Sequence, residues 1–376
     1  MKRQLIAACA ALSLSLTACS GDDATEDETS AAETTAAAEP SSDEEETMSS
    51  EPSEEPESTV KDIALPDPHT MTGLSEVPNL PDPTPIEGDF TQSLPVTVTD
   101  VENNTVEVDD TSRILALDIN GTLSRTVISL GLGDSLVGRT VSSTEDMLAD
   151  LPVVTENGHS LNVEAIMSLN PTLVLADRSV GPPEAIDQLR QSGIDVVLVD
   201  PHRSIDTTDE LIGFVAETLG LPEAGEQLSA RVESEIADAK EQIAAWAPDD
   251  PVDAAFLYVR GTAGVFFILG SEDGATELIN GVGANDVAGE QGITSTTPAN
   301  AESLVTLDPE VIFVMTQGLE STDGMEGLFA RPGVSQTRAG ETQRVIAIPD
   351  GISLSFGPQT ADILLSVARA LYGVDE

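Results

Sequence analysis

The stretch from Leu221 to Pro248, LPEAGEQLSARVESEIADAKEQIAAWAP, constrains this chain more than any other. Pro222 suits a first helical turn, and Pro248 ends the helix. Between them Leu228, Val232, Ile236, Ala239, Ile243 and Trp246 recur at three- and four-residue steps, one apolar stripe on an otherwise polar helix. At 1.5 Å per residue such a helix spans roughly 37 Å, enough to run the length of a domain. About 125 residues lie on either side, a comfortable single domain each. The two sides also share a box. Asn162-Val-Glu-Ala-Ile-Met-Ser-Leu-Asn-Pro-Thr-Leu-Val-Leu175 stands before the helix, and Asn300-Ala-Glu-Ser-Leu-Val-Thr-Leu-Asp-Pro-Glu-Val-Ile-Phe313 after it. The expectation is two similar lobes, residues 95–221 and 249–376, joined by one long rigid helix over 222–248.

The net charge of -51 excludes a nucleic-acid binder. It is unevenly spread: residues 20–89 hold twenty-one acids and one lysine. Both cysteines, Cys9 and Cys19, lie near the N-terminus, so neither a disulfide nor a cysteine metal site belongs to the lobes. Met1-Lys-Arg followed by an apolar run from Leu5 to Leu16 reads as a signal peptide over residues 1–18, too short for a spanning helix. Leu16-Thr-Ala-Cys19 resembles the lipobox of bacterial lipoproteins. That resemblance implies a diacylglycerol on Cys19, and two acyl chains suffice for stable anchoring. A secretory signal with a chance cysteine is the alternative. Residues 19–94 are rich in Asp, Glu, Ser, Thr and Pro and read as a disordered acidic tether, in which His69 has no assigned role.

Within the lobes, short apolar runs alternate with helical patterns. Val96-Thr-Val-Thr and Thr105-Val-Glu-Val flank Glu102-Asn-Asn104 as a hairpin. Arg113–Leu117, a short strand near Asp134–Arg139, Thr172–Ala176 and Val196–Val199 are expected strands of the first lobe. Ala254–Tyr258, Val265–Ile268, Glu310–Val314 and Val345–Ile348 are those of the second. Strands of four or five apolar residues alternating with helices mean an α/β fold, a parallel sheet covered on both faces.

Enzyme signatures are poor: there is no Gly-x-Ser-x-Gly elbow, no P-loop and no Gly-x-Gly-x-x-Gly behind a strand. The lobes hold two histidines, His159 and His202, and two tyrosines, Tyr258 and Tyr372. His159 sits in the polar loop Glu156-Asn-Gly-His-Ser160 ahead of the first box, where the second lobe has Thr297, so the fold itself does not demand an imidazole. Taken alone, a loop histidine faces solvent more often than it serves a ligand. Tyr258 ends a buried strand, and in open α/β sheets ligands bind outside the carboxyl ends of strands. Arg260, two residues on, lies on the same side. A strand-end tyrosine with only a local hydrogen bond is the bland alternative. Tyr372, in the last helical turn, reads as packing, and His202 as a surface-loop residue.

Signal, tether, two α/β lobes and one linking helix together resemble the substrate-binding proteins of iron, haem and cobalamin ABC importers, over residues 96–376. The first lobe has Asn-Gly-His-Ser-Leu-Asn-x-Glu and the second has Tyr-x-Arg-Gly-Thr, and this pair of motifs resembles the haem-binding lipoproteins of that group. The resemblance implies haem as transported ligand, with His159 and Tyr258 as axial iron ligands, one per lobe, and Arg260 hydrogen-bonded to the phenolate. It implies Glu164 and Glu302, at equivalent places in the repeated box, as docking points for arginines of a permease; a first-turn acid favoured by the helix dipole is their plain reading. Arg139, Arg178 and Arg331 remain open as partners of haem propionates. The expected protein is a monomer held outside the cytoplasmic membrane, with haem, a haemoprotein donor and an ABC permease as partners and no catalysis. The same fold binding a ferric siderophore or cobalamin is the runner-up, and a lipid-anchored cell-wall enzyme a third reading.

Overall fold

The computed structural model describes residues 65–262 and 264–375. The signal peptide, Cys19 and the tether up to residue 64 lie outside the described residues. The expectation of disorder through residue 94 is corrected for residues 65–94, which form a strap fastened to both lobes. Its strand β1 (Leu74–Glu76) pairs in parallel with residues 345–347 of the second lobe, and Val77 donates its N–H to the Ala347 carbonyl at 2.8 Å. The strap then crosses to the first lobe. The Asp82 carboxylate accepts from the N–H groups of Asp146 and Met147, and Ile86 donates its N–H to the Ser129 carbonyl. Strand addition uses backbone groups that every residue carries, so a polar, proline-rich composition does not forbid it.

In the first lobe β2 (Val96–Thr99) and β3 (Thr105–Val108) form the expected antiparallel hairpin. There follow β4 (Ile114–Leu117), α1 (Thr122–Ser129), the small hairpin β5 (Thr155–Glu156) and β6 (Ser160–Leu161), and α2 (Val163–Ser168). The lobe continues with β7 (Leu173–Ala176), α3 (Pro183–Gln191), β8 (Asp195–Leu198) and α4 (Thr208–Thr218). Strands β4, β7 and β8 lie side by side in parallel. Their residues alternate between two apolar clusters: Ile114, Ala116, Leu173 and Leu175 on one face, Leu115, Leu117, Val174 and Ala176 on the other. This is the physical meaning of an unbroken apolar run, a strand buried on both faces. The strand expected near 134–139 is reduced to isolated bridges at Leu136 and Arg139.

Helix α5 (Pro222–Trp246) buries Leu228, Val232, Ile236 and Ala239 in the core of the first lobe and Ile243 in that of the second. Each fully buried aliphatic side chain contributes about 1.5–3 kcal/mol relative to exposure. Trp246 stays half-buried, with the Arg369 guanidinium 6.0 Å above its ring. Gly225 lets α5 meet α4 closely, since a Cβ there would collide with that of Ala216.

The second lobe contains β9 (Asp253–Arg260), β10 (Val265–Ile268), α6 (Ala275–Gly281), β11 (Asn285–Asp286), α7 (Val287–Glu290), β12 (Thr297–Pro298) and α8 (Ala301–Leu307). It ends with β13 (Val311–Met315), α9 (Thr316–Ser321), α10 (Gly324–Phe329), α11 (Arg338–Thr342), β14 (Val345–Ile348) and α12 (Thr360–Tyr372). The sheet order is β1-β14-β13-β9-β10-β12, with β11 beside the start of β9. Its parallel part again splits its residues between two faces, Phe256, Phe313 and Ile346 against Ala255, Ile312 and Val345. Strand β10 departs from the expected parallel alternation and folds back antiparallel on β9. The connection through Gly261 and Gly264, both at positive φ, is a tight turn, far too short for a parallel crossover.

The lobes meet along a polar seam. Arg125 of α1, 4% exposed, donates to the Gly351 carbonyl at 2.6 Å and to Ser355 Oγ at 3.0 Å, and pairs with Glu145 at 3.1 Å.

Candidate functional site

Strand β9 is buried from Ala254 to Leu257 and then surfaces, so that Tyr258 and Arg260 are half-buried on one face while Val259 stays inside. The Arg260 guanidinium lies over the Tyr258 ring, 4.7 Å from its centroid. It is ion-paired with Asp350, and it donates to Met315 Sδ at 3.3 Å and to the Val259 carbonyl at 3.1 Å. Arginine therefore stacks on the phenol ring here, rather than hydrogen-bonding its oxygen. A guanidinium against a ring face is attracted by the ring quadrupole.

His159 stands on the first lobe, at the tip of the β5–β6 hairpin. Asn157 and Gly158, at φ of 52° and 87°, make the turn. The Gly181 N–H donates to the His159 carbonyl at 3.0 Å, which fastens the hairpin to the loop before α3. The imidazole is exposed and has no hydrogen-bond partner among the described residues. The structure thus joins Tyr258 and Arg260 directly, and sets His159 apart from them on the other lobe. Thr297, the counterpart of His159, is built into β12 against β10.

Glu164 and Glu302 are exposed in the first turns of α2 and α8. Asn162 and Asn300 cap these helices, accepting from Ala165 N–H at 2.9 Å and Ser303 N–H at 3.0 Å. Among the three arginines left open, Arg178 pairs with Glu102 of the β2–β3 turn, and Arg139 is turned onto the Ser143 carbonyl. Arg331 sits beside the strand that carries Tyr258: it donates to Thr322 Oγ1 and the Gly261 carbonyl, 5.4 Å over Phe266. Tyr372 is fully buried and donates to the Val282 carbonyl at 2.8 Å; burial pushes its phenol up to about 12. His202 is exposed.

Three features were missed in the sequence. Asp350 follows β14 and holds Arg260, and the strand-end rule that marks Tyr258 marks this position too. A cavity of ≈ 430 Å³ opens beside it, walled by strap residues Glu76 to Asn79, by Thr144 of the first lobe, and by Thr316, Gln317 and Glu320 of the second. No sequence signal tied the strap to it. The third is a buried cluster at the ends of β4 and β7, where Arg203 reaches Asp177 at 2.6 Å and Asp118 at 3.7 Å. Burial, then the charge of Asp118, pushes the Asp177 carboxyl up to about 6. Asp118 also accepts from the Thr122 and Leu123 N–H groups that begin α1. With all three side chains at most 6% exposed, the cluster braces the lobe and is closed to ligands.

A family model described as periplasmic binding protein matches residues 119–351. An uncharacterized ABC transporter substrate-binding lipoprotein of Bacillus subtilis, YvrC, is 27% identical over 75% of this chain and 87% of its own. A cobalamin-binding protein of Halobacterium salinarum is 26% identical over 76% of each chain. Among solved structures, that of the haem binding protein HmuT superposes with a TM-score of 0.80 at 50% identity, covering 82% of this chain and 100% of that one. Three further structures of HmuT carry alanine for one histidine, one tyrosine or one arginine. Those three residues are spaced along HmuT as His159, Tyr258 and Arg260 are here.

Proposed function

The chain belongs to the periplasmic binding protein family, and we propose that it is an extracytoplasmic receptor that binds haem between its lobes and hands it to the permease of an ABC importer. The observation that carries this reading is the half-identity to the haem-binding HmuT over the whole of that chain. His159 and Tyr258 are the axial ligands in this reading. Their spacing relative to Arg260 supports it, as does the chemistry of the two donors. The exposed imidazole is free to coordinate, and a phenolate is a hard oxygen donor suited to ferric iron. The Arg260 guanidinium over the ring places positive charge beside that donor. Haem bound between the lobes would be held by the His159 imidazole and the Tyr258 phenol, a nitrogen and an oxygen donor.

Cys19 carries the lipid anchor, and the acidic residues that follow hold the lobes away from the membrane. Among the described residues no helix is long and apolar enough to cross a membrane. Glu164 and Glu302 face the permease. The cobalamin-binding relatives favour a second reading, cobalamin as cargo. Haem and cobalamin are therefore titrated separately into the purified protein and followed by visible absorption. A saturable haem spectrum with one nitrogen and one phenolate ligand is expected; saturation by cobalamin alone overturns the haem reading.

A further inference from the structure

Arg260 does not reach its place over Tyr258 by chance of its own rotamer. Its side chain is 31% exposed, and a long arginine with that much access to water has several conformations to choose from. Its surroundings remove the choice. Gly318 of α9 leaves the room the guanidinium occupies: a Cβ there would collide with Arg260 Nη1 and stand 2.6 Å from the Val259 carbonyl oxygen. Asp350 supplies the counter-charge. One of its carboxylate oxygens takes Arg260 Nη2, and the other accepts the Gln317 N–H at 2.8 Å, so the carboxylate is itself fixed at both ends. The loop bearing it is fixed as well. The neighbouring Gly351 presents no side chain to the seam, where a Cβ would strike Thr144, and its carbonyl accepts from the buried Arg125 of the first lobe.

We propose that Asp350 is a positioning residue: pinned by the Gln317 N–H and by the Arg125-bound Gly351, it holds the Arg260 guanidinium over the Tyr258 ring. The inference rests on the haem reading for its purpose, but its geometry is made by the protein's own residues. Outer partners that orient a ligand-supporting group matter for affinity by about ten- to a hundredfold in metal sites.

The experiment uses the full chain with Asp350→Ala, Asp350→Asn, Arg260→Ala and the Asp350→Ala/Arg260→Ala double substitution. Without haem, the Arg260 Nε–H resonance is read by NMR. The ring current of Tyr258 displaces it in the wild type, and Asp350→Ala returns it to the position of a solvent-exposed arginine. Asp350→Asn keeps an acceptor and retains most of the displacement. With haem, Asp350→Ala weakens binding by about ten- to a hundredfold, and the same change has no further effect once Arg260 is alanine. An unmoved Arg260 resonance in Asp350→Ala overturns the proposal. So does an equal loss of affinity in the Arg260→Ala background, which would mean that Asp350 acts through the fold. If wild-type protein takes up no haem, the haem reading fails, and the Arg260 resonance alone decides the positioning role.

Discussion

Two tyrosines with the same chemistry have opposite fates in this chain. Tyr372 is sealed in the second core with its hydroxyl spent on the Val282 carbonyl, and burial holds its phenol near 12. Tyr258 lies where β9 leaves the core, with a cation on its ring. His159→Ala and Tyr258→Ala are each expected to alter the visible spectrum of the haem complex, while the double substitution loses most affinity and unfolds at the wild-type temperature. Wild-type spectra from both single variants would remove these residues from the iron. Both placements were legible in sequence, because strand ends and last helical turns are local features. Asp350 was not singled out: its bond to Arg260 spans ninety residues and exists only once β9, α9 and β14 are packed together.

Elements with strong periodicity were likewise legible. The stripe on α5, the repeated box and the apolar strand runs all carry their own evidence in side-chain pattern. Strand β1 carries none, because its bonds are backbone bonds to a strand far along the chain. His69 shows the same gap. Both its ring nitrogens face acceptors, Nδ1 the Glu310 carboxylate at 3.1 Å and Nε2 the Asp250 carbonyl at 3.0 Å, and only a protonated imidazole donates to both. Burial lowers its pKa, but the bonds to Glu310 and Asp250 and the charges of Glu310 and Asp67 outweigh this and raise it above 6.5. A group whose folded pKa is raised stabilises fully below the unfolded value and loses that contribution as pH rises through the folded one. The stability gap between wild type and His69→Ala, measured by urea unfolding, should therefore be wider at about pH 5.5 than at about pH 8.5, on either side of the imidazole range. A gap that does not narrow would deny His69 a charged role in holding the strap.

The two lobes are bridged twice, by α5 and by the strap, and they present the same small motif outward. On α2 and α8 the exposed acid is followed one turn later by an exposed apolar residue, Met167 at 42% and Val305 at 44%. A pair of matched patches, one per lobe, suits a partner with two equivalent subunits. Exposed single ion pairs contribute only about 0–1 kcal/mol, so Glu164→Ala or Glu302→Ala alone should be mild. Together they should impair haem uptake by cells and leave haem titration of the isolated receptor unchanged. Normal uptake by the double variant would leave both carboxylates only their favourable place at a helix N-terminus.

The strap also decides where this protein can be cut. Strand β1 is short, preceded by Gly73, followed by Val77-Pro78, and carries Glu76 at its end, features that discourage a further strand from pairing beside it. Behind it lies β14, four apolar residues long and wholly buried. Cleavage in the acidic stretch before residue 65 leaves the sheet closed, and that form should elute from gel filtration as a monomer. Cleavage at residue 94, where the composition changes, strips β1 away and opens β14 as a bare apolar edge. The shorter form should self-associate, and a monomeric elution would show that some other segment covers the edge.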